Sequence, residues 1–189
     1  MNLRPEIIIN CAIIKSKKVD ENPIESINVN IVGSCNVAKF CIDHNIRLVY
    51  ISTDYVYDGI NGNFKETDPI NPVNHYAWTK LSGEGAVKLV PNHLIIRTSF
   101  GVNQFPYEEA YENLYSSKDY IDIIAPMIYD VSTSNLTGTI NIGTERKSLF
   151  DYANRRNKTP KGKIGGQKDF SLDTTKYKKF LNEKRQNFI

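Results

Sequence analysis

Tyr76 and Lys80 stand four residues apart in the run Tyr76-Ala77-Trp78-Thr79-Lys80. On a helix that spacing puts both side chains on one face, a turn apart. A free phenol ionises near pH ~10 and is a poor proton donor or acceptor at neutrality. An ammonium beside it favours the phenolate. The two together make an acid–base pair suited to interconverting a carbonyl and an alcohol. The same spacing also arises as an exposed pair on an amphipathic helix, so it decides nothing alone. Upstream, Ser52-Thr53 closes an apolar run. In open α/β sheets ligands bind outside the carboxyl ends of strands. A hydroxyl there can donate to a carbonyl oxygen while Tyr76 delivers the proton; it can also merely cap backbone groups. Strand end, loop and Tyr-x-x-x-Lys helix in that order are more specific than any one of them.

These groups need a scaffold. Residues 6–12, 47–52 and 93–98 are short, continuous apolar runs rich in β-branched residues, as strands buried on both faces are. Residues 15–22 are polar and read as a loop. Residues 23–44 carry Ile24, Ile27, Ile31, Ala38 and Cys41 at helical spacing, with Asn22 to cap, Pro23 in the first turn and Asn45 as a stop. Strand, long helix, strand implies a parallel sheet with a right-handed crossover. Residues 54–75, with Gly59, Gly62, Pro69 and Pro72, form a long loop of the kind that carries function. A second helix spans 76–90. Beyond Phe100 the pattern loosens. A helix is expected over 107–115, 121–128 is ambiguous, 138–143 reads as a strand, 147–156 as a short helix, and 173–182 as a last helix capped by Asp173 or Ser171.

Composition bounds the function classes. Hydrophobic residues are 40% and charged residues 24% of 189, which is globular rather than disordered. The net charge of +3 is too small to imply nucleic acid without a focused patch. The densest basic stretch (Arg155, Arg156, Lys158, Lys161, Lys163 and Lys168) has no interleaved aromatic residue and reads as a solvated loop. Cys11, Cys35 and Cys41 cannot all pair within one chain and read as buried free thiols in a reducing compartment. Cys41, Asp43 and His44 lack a second cluster at ligand spacing, so no metal is expected. No apolar run approaches the ~20 residues that span a bilayer. A cytoplasmic protein that binds neither nucleic acid nor membrane is the expectation.

Ile51-Ser52-Thr53-Asp54-Tyr55-Val56-Tyr57-Asp58-Gly59 resembles the signature of dTDP-4-dehydrorhamnose reductases, in the extended short-chain dehydrogenase/reductase group. The likeness extends to residues 5–12, Val29-Asn30, Gly33-Ser34, 66–72, 76–84, 94–99, 141–148 and 171–173, nearly the whole chain. It implies a partial Rossmann-like, doubly wound parallel α/β sheet over 1–105, with a small substrate lobe over 106–189 interleaved with it. It also implies hydride transfer from NADPH or NADH to the 4-keto carbon of a nucleotide-linked 6-deoxy sugar. Tyr76 would be the proton donor, and Lys80 would lower its pKa and bind ribose. Thr53, or less favourably Ser52, would hold the keto oxygen. Cys11, Ala12 and Ile13 would lie against the cofactor, and Arg97 and Thr98 near its nicotinamide end. Asp54, Tyr55, Ser99 and Phe100 would meet the sugar. Asn30 matches a helix asparagine that supports strand backbone.

Two departures qualify the likeness. Relatives open on G-x-x-G-x-x-G, which sets pyrophosphate against a helix N-terminus. None of the eleven glycines here reproduces it; Gly83-Glu84-Gly85 falls inside a helix and Gly165-Gly166 comes late. The strand at 6–12 would then be an exposed apolar edge that a second copy or another chain must cover. Phe100 stands where many relatives have Trp, which loses the indole N–H. The alternatives to a working reductase are a non-catalytic binding or regulatory subunit, and a truncated or split relic.

Overall fold

The computed structural model describes residues 4–156 and 160–186. The chain runs β1 (Ile7–Asn10), α1 (Lys17–Glu21), α2 (Pro23–Ser26), a π-helical turn (Ile27–Val32) and α3 (Gly33–His44). It continues with β2 (Arg47–Ile51), a 3-10 turn (Asp54–Val56), α4 (His75–Val87), β3 (His93–Thr98) and β4 (Phe100–Gly101). Three short strands follow, β5 (Glu109–Tyr111), β6 (Leu114–Ser116) and β7 (Asp119–Tyr120), then α5 (Ile121–Ser132) and β8 (Gly138–Ile142). The last elements are β9 (Lys147–Ser148), α6 (Leu149–Asn154), β10 (Lys161–Lys163), β11 (Lys168–Phe170) and α7 (Thr175–Gln186).

The main sheet has the order β1-β2-β3-β8 and is parallel throughout. All five residues of β2 are buried because helices cover both faces of the sheet. Val49 and Ile51 pack with Leu94, Ile96, Ile140 and Ile142 against Ile124 and Val131 of α5 and Tyr177 of α7. On the opposite face, Leu48, Tyr50 and Ile95 pack against Ala38 and Cys41 of α3 and Val87 of α4. Each such side chain contributes about 1.5–3 kcal/mol by leaving water. That is why the strands read as continuous apolar runs rather than alternating ones. The architecture is the doubly wound parallel α/β fold expected. Among the described strands β1 pairs only with β2, and Ile9 remains 40% exposed at that edge.

The first helical region departs from the expected single helix. Residues 15–22 hold the short helix α1, anchored by buried Val19, and not a loop. The Asn22 side chain makes no capping bond; its backbone carbonyl accepts from the Ser26 amide and hydroxyl instead. The π turn widens the helix, so residues counted at α spacing across it do not share a face. Ile24 and Ile27 are accordingly exposed at 76% and 48%, whereas Ala38 and Cys41 are buried. Asn45 does end α3, in the left-handed conformation.

The π turn aims Asn30 inward. Its Oδ1 accepts from the Ile14 N–H at 2.7 Å, and its Nδ2 donates to the Ile14 carbonyl at 2.9 Å and to Thr79 Oγ1 at 3.0 Å. One amide thus ties the segment after β1 to α4. Asn30→Ala is expected to cost about 1–3 kcal/mol through the unpaired backbone groups of Ile14. A urea unfolding midpoint unchanged by the substitution would rule this out.

The second half holds the larger differences. Residues 107–115 form β5 and β6, not a helix, because they pair with two strands of the basic stretch. β5 runs parallel to β10, and β6 lies between β11 and β9. The basic stretch is therefore partly strand rather than solvated loop; Lys158 lies outside the described residues. Three of its cations are matched: Arg155 with Asp119 and Glu145, Arg156 with Asp122, and Lys163 with Glu109. Residues 121–128 belong to α5. Ser148 caps α6 with Asp151 in a reciprocal capping box. The final helix begins at Thr175, whose N–H is taken by Asp173 Oδ1.

Candidate active site

The parallel register puts Asn10, Ile51, Thr98 and Ile142 at one end of the sheet, the carboxyl end. Residues 11–13, 52–55 and 99–100 follow those strand ends, so the sheet itself gathers most of the residues singled out in the sequence. Helix α4 brings the rest. Asn74 caps it by accepting from the Ala77 N–H at 2.8 Å, which fixes Tyr76 and Lys80 in its first turns. Gly83 then lets the helix approach β2, since a Cβ there would lie 2.2 Å from the Tyr50 hydroxyl oxygen.

Tyr76 and Lys80 are not a solvated pair. Lys80 is 1% exposed, and its Nζ lies 3.9 Å from the centroid of the Tyr50 ring. Burial lowers its ammonium to about 8, opposed by Glu84 and Cys11. Tyr76 is half-buried and lies near Thr53, whose hydroxyl favours the ionised phenol. Burial raises the Tyr76 phenol above its ordinary value, and Asp54 and Tyr50 push it further than Thr53 pulls it back. Lys80 is not among the groups that shift it. The ammonium lies instead against the Tyr50 ring.

Ser52 and Thr53 are both buried but differ in what they can do. Ser52 donates to Glu84 Oε1 at 2.5 Å. Thr53 Oγ1 accepts from the Tyr55 N–H at 3.2 Å and donates to Asp54 Oδ1 at 3.2 Å. Thr53, not Ser52, is the hydroxyl that faces Tyr76.

Three expected ligand contacts are corrected by their surroundings. Arg97 is 1% exposed and spends all three guanidinium nitrogens inside the protein. Nε and Nη2 donate to Glu84 at 3.1 and 2.8 Å, and Nη1 to the Tyr57 hydroxyl at 2.9 Å and the Glu66 carbonyl at 3.3 Å. Burial alone would lower its pKa; the Glu84 hydrogen bonds and charge more than offset that. Its side chain staples β3, α4 and the 54–72 loop, with four of its five N–H groups spent there and the residue closed off from solvent. Ser52 joins the same cluster through Glu84. Asp54 is 1% exposed, with both oxygens hydrogen-bonded, so it cannot reach a sugar.

The other candidates keep access or free capacity. Cys11 and Ala12 are exposed, so Cys11 is not a buried thiol, and Ile13 is half-buried. Thr98 is buried at the end of β3, and its Oγ1 has no hydrogen-bond partner among the described residues. Tyr55 and Ser99 are half-buried, and Phe100 is 37% exposed. Reasoning from sequence missed Lys118, which lies beyond β6, interacts with Asp54, and sits 5.6 Å from the centroid of the Tyr152 ring. No spacing rule links it to the Tyr–Lys pair; only the pairing of β6 with β9 and β11 carries it there. Among the described residues no group of three or more His, Cys, Asp or Glu could hold a metal, and no helix is long and apolar enough to cross a membrane.

The model of the RmlD substrate binding domain family matches residues 1–124. The dTDP-4-dehydrorhamnose reductase of Aggregatibacter actinomycetemcomitans is 33% identical over 134 residues, 67% of this chain and 45% of that protein. Methionine adenosyltransferase 2 subunit beta of Bos taurus is 41% identical over 87 residues, 46% of this chain and 26% of that protein. The chain thus spans less than half the length of these curated relatives. A hypothetical dTDP-4-dehydrorhamnose reductase from Sulfolobus tokodaii superposes with a TM-score of 0.82 at 28% identity, covering 94% of this chain and 74% of that one. A dTDP-4-dehydrorhamnose reductase from Bacillus anthracis, solved in complex with NADP, shares the fold with a TM-score of 0.80 at 24% identity, covering 94% and 73%.

Proposed function

From the membership of this chain in the RmlD substrate binding domain family, we propose that it carries the acid–base centre of an NAD(P)H-dependent reductase acting on a 4-keto-6-deoxy sugar nucleotide. The observation that carries this reading is the meeting of Thr53 and Tyr76 at the carboxyl end of a parallel sheet, with Lys80 buried one turn along the same helix. NADPH or NADH, when bound, supplies the hydride. Tyr76 gives its proton to the keto oxygen, which Thr53 holds by a hydrogen bond. Tyr55, Ser99 and Phe100 border the sugar.

The residues fit one end of such a cofactor. Lys80 Nζ has no carboxylate within salt-bridge distance among the described residues, and Thr98 Oγ1 is buried without a partner. Both suit hydroxyl or amide groups at the nicotinamide-ribose end, with Cys11, Ala12 and Ile13 along one side. For the pyrophosphate the sequence offers no G-x-x-G-x-x-G loop. The open edge of β1, with Ile9 exposed, supports a second copy or another chain packing there.

A second reading is a non-catalytic binding or regulatory subunit. It is favoured by the 41% identity over 87 residues to a protein named as a subunit beta. Titration with NADPH and with NADH, followed by nicotinamide fluorescence, separates the two. Binding in the micromolar range is expected of the reductase. No binding at millimolar cofactor would leave the subunit reading.

A further inference from the structure

Asp54 sits behind the reacting hydroxyls, in a chain of hydrogen bonds that the proposed reaction has not used. Its Oδ1 accepts from Thr53 Oγ1 at 3.2 Å and its Oδ2 from Ser116 Oγ at 3.1 Å. Ser116 Oγ in turn accepts from the Lys118 N–H at 3.1 Å. A threonine hydroxyl has one hydrogen and two lone pairs. While Asp54 is ionised, that hydrogen is committed to Oδ1, and the Tyr55 N–H stands on the acceptor side. Thr53 then has nothing to donate to a carbonyl oxygen. A protonated Asp54 reverses the bond: its O–H donates to Thr53 Oγ1, and the Thr53 hydrogen is released as Tyr76 turns to the same ligand oxygen.

We propose that Asp54 is a positioning residue that sets the direction of the Thr53 hydroxyl, and that only its protonated form presents Thr53 as a donor to the substrate's keto oxygen. This rests on the reductase reading for its consequence, but not for its geometry. The groups facing Asp54 are Thr53 and Tyr55 on its own segment, Tyr76 from α4, Ser116 from β6, and Lys118 just beyond β6. Burial raises the carboxyl to about 6, against Lys118, Ser116, Thr53 and its own backbone N–H, which favour the ionised form. The folded protein therefore keeps this proton up to about pH 6, where a solvated aspartate near ~3.9 has lost it.

The test is a titration of isotope-labelled aspartate carboxyl and tyrosine ring carbons by NMR, from well below to well above about pH 6. Asp54→Asn and Tyr76→Phe identify the two signals. Asp54 is expected to titrate near that value, with a step in Tyr76 at the same midpoint. Asp54→Asn should abolish the Tyr76 step, and Thr53→Val should reduce its amplitude to the part that the Asp54 charge exerts directly; Thr53→Ala serves if the valine variant does not fold. An Asp54 that stays ionised throughout overturns the proposal. So does a Tyr76 step at full size without the Thr53 hydroxyl, since that would be charge acting through space. With a 4-keto sugar nucleotide, kcat should fall by up to about tenfold per pH unit above the midpoint, and Asp54→Asn should flatten that limb, its amide N–H replacing the acid proton. A kcat that rises across the interval overturns the proposal as well. The NMR steps in a protein without turnover would count against the reductase reading alone.

Discussion

Tyr76→Phe is expected to lower turnover of a 4-keto sugar nucleotide by about 100- to 10,000-fold, the range that loss of a positioned proton donor produces. The substitution removes one oxygen and leaves the ring packed where it is. Its cost to stability should stay near ~1 kcal/mol, the worth of one hydrogen bond. KM and cofactor affinity should move little, because Tyr76 acts on the reacting oxygen and holds no other part of the substrate. Steady-state loss of reduced-nicotinamide absorbance measures all three parameters against wild type. Undiminished kcat would remove Tyr76 from the chemistry and leave its place beside Thr53 without a catalytic account.

Glu84→Ala should have the largest effect on stability. Glu84 is 0% exposed and accepts from Arg97 twice and from Ser52 once. Truncating it leaves a guanidinium buried without its counter-charge, a loss of about 3–5 kcal/mol, much of a small domain's total stability. Replacing both partners, as in Glu84→Leu with Arg97→Met, should cost clearly less, because no charge is then stranded. Urea unfolding of the two single variants and the double variant gives the coupling. Equal losses in all three would mean that the pair contributes through packing and not through charge.

Arg97 also shows where the sequence misleads. Its place after an apolar run, beside Thr98 and Ser99, looks like a ligand-facing strand end. The residue that neutralises it lies in α4, thirteen positions back, and nothing in the intervening pattern announces the pairing. Asp54 is similar: its neighbour Ser116 ends β6, a strand that begins inside the helix expected over 107–115. By contrast β2, β3 and α4 were legible, because strands covered on both faces must be apolar throughout and a capped amphipathic helix carries its own signals. Tyr76, Lys80 and Thr53 were legible for the same reason, being placed by those elements. The later strands are too short for periodicity to register, and they exist only through partners distant in sequence.

The π turn at Ile27–Val32 has a consequence for how this chain tolerates changes in length. A wide turn is what remains when one residue is accommodated within an α-helix without disturbing either end. Removing one residue from it would restore regular winding, but every side chain beyond the cut would swing about 100° around the helix axis relative to those before it. Asn30 could then keep its grip on Ile14, or Ala38 and Cys41 could keep their places against the sheet, but not both. The surplus residue is thus the joint that lets one helical rod serve two masters, the strand extension after β1 and the core beneath it.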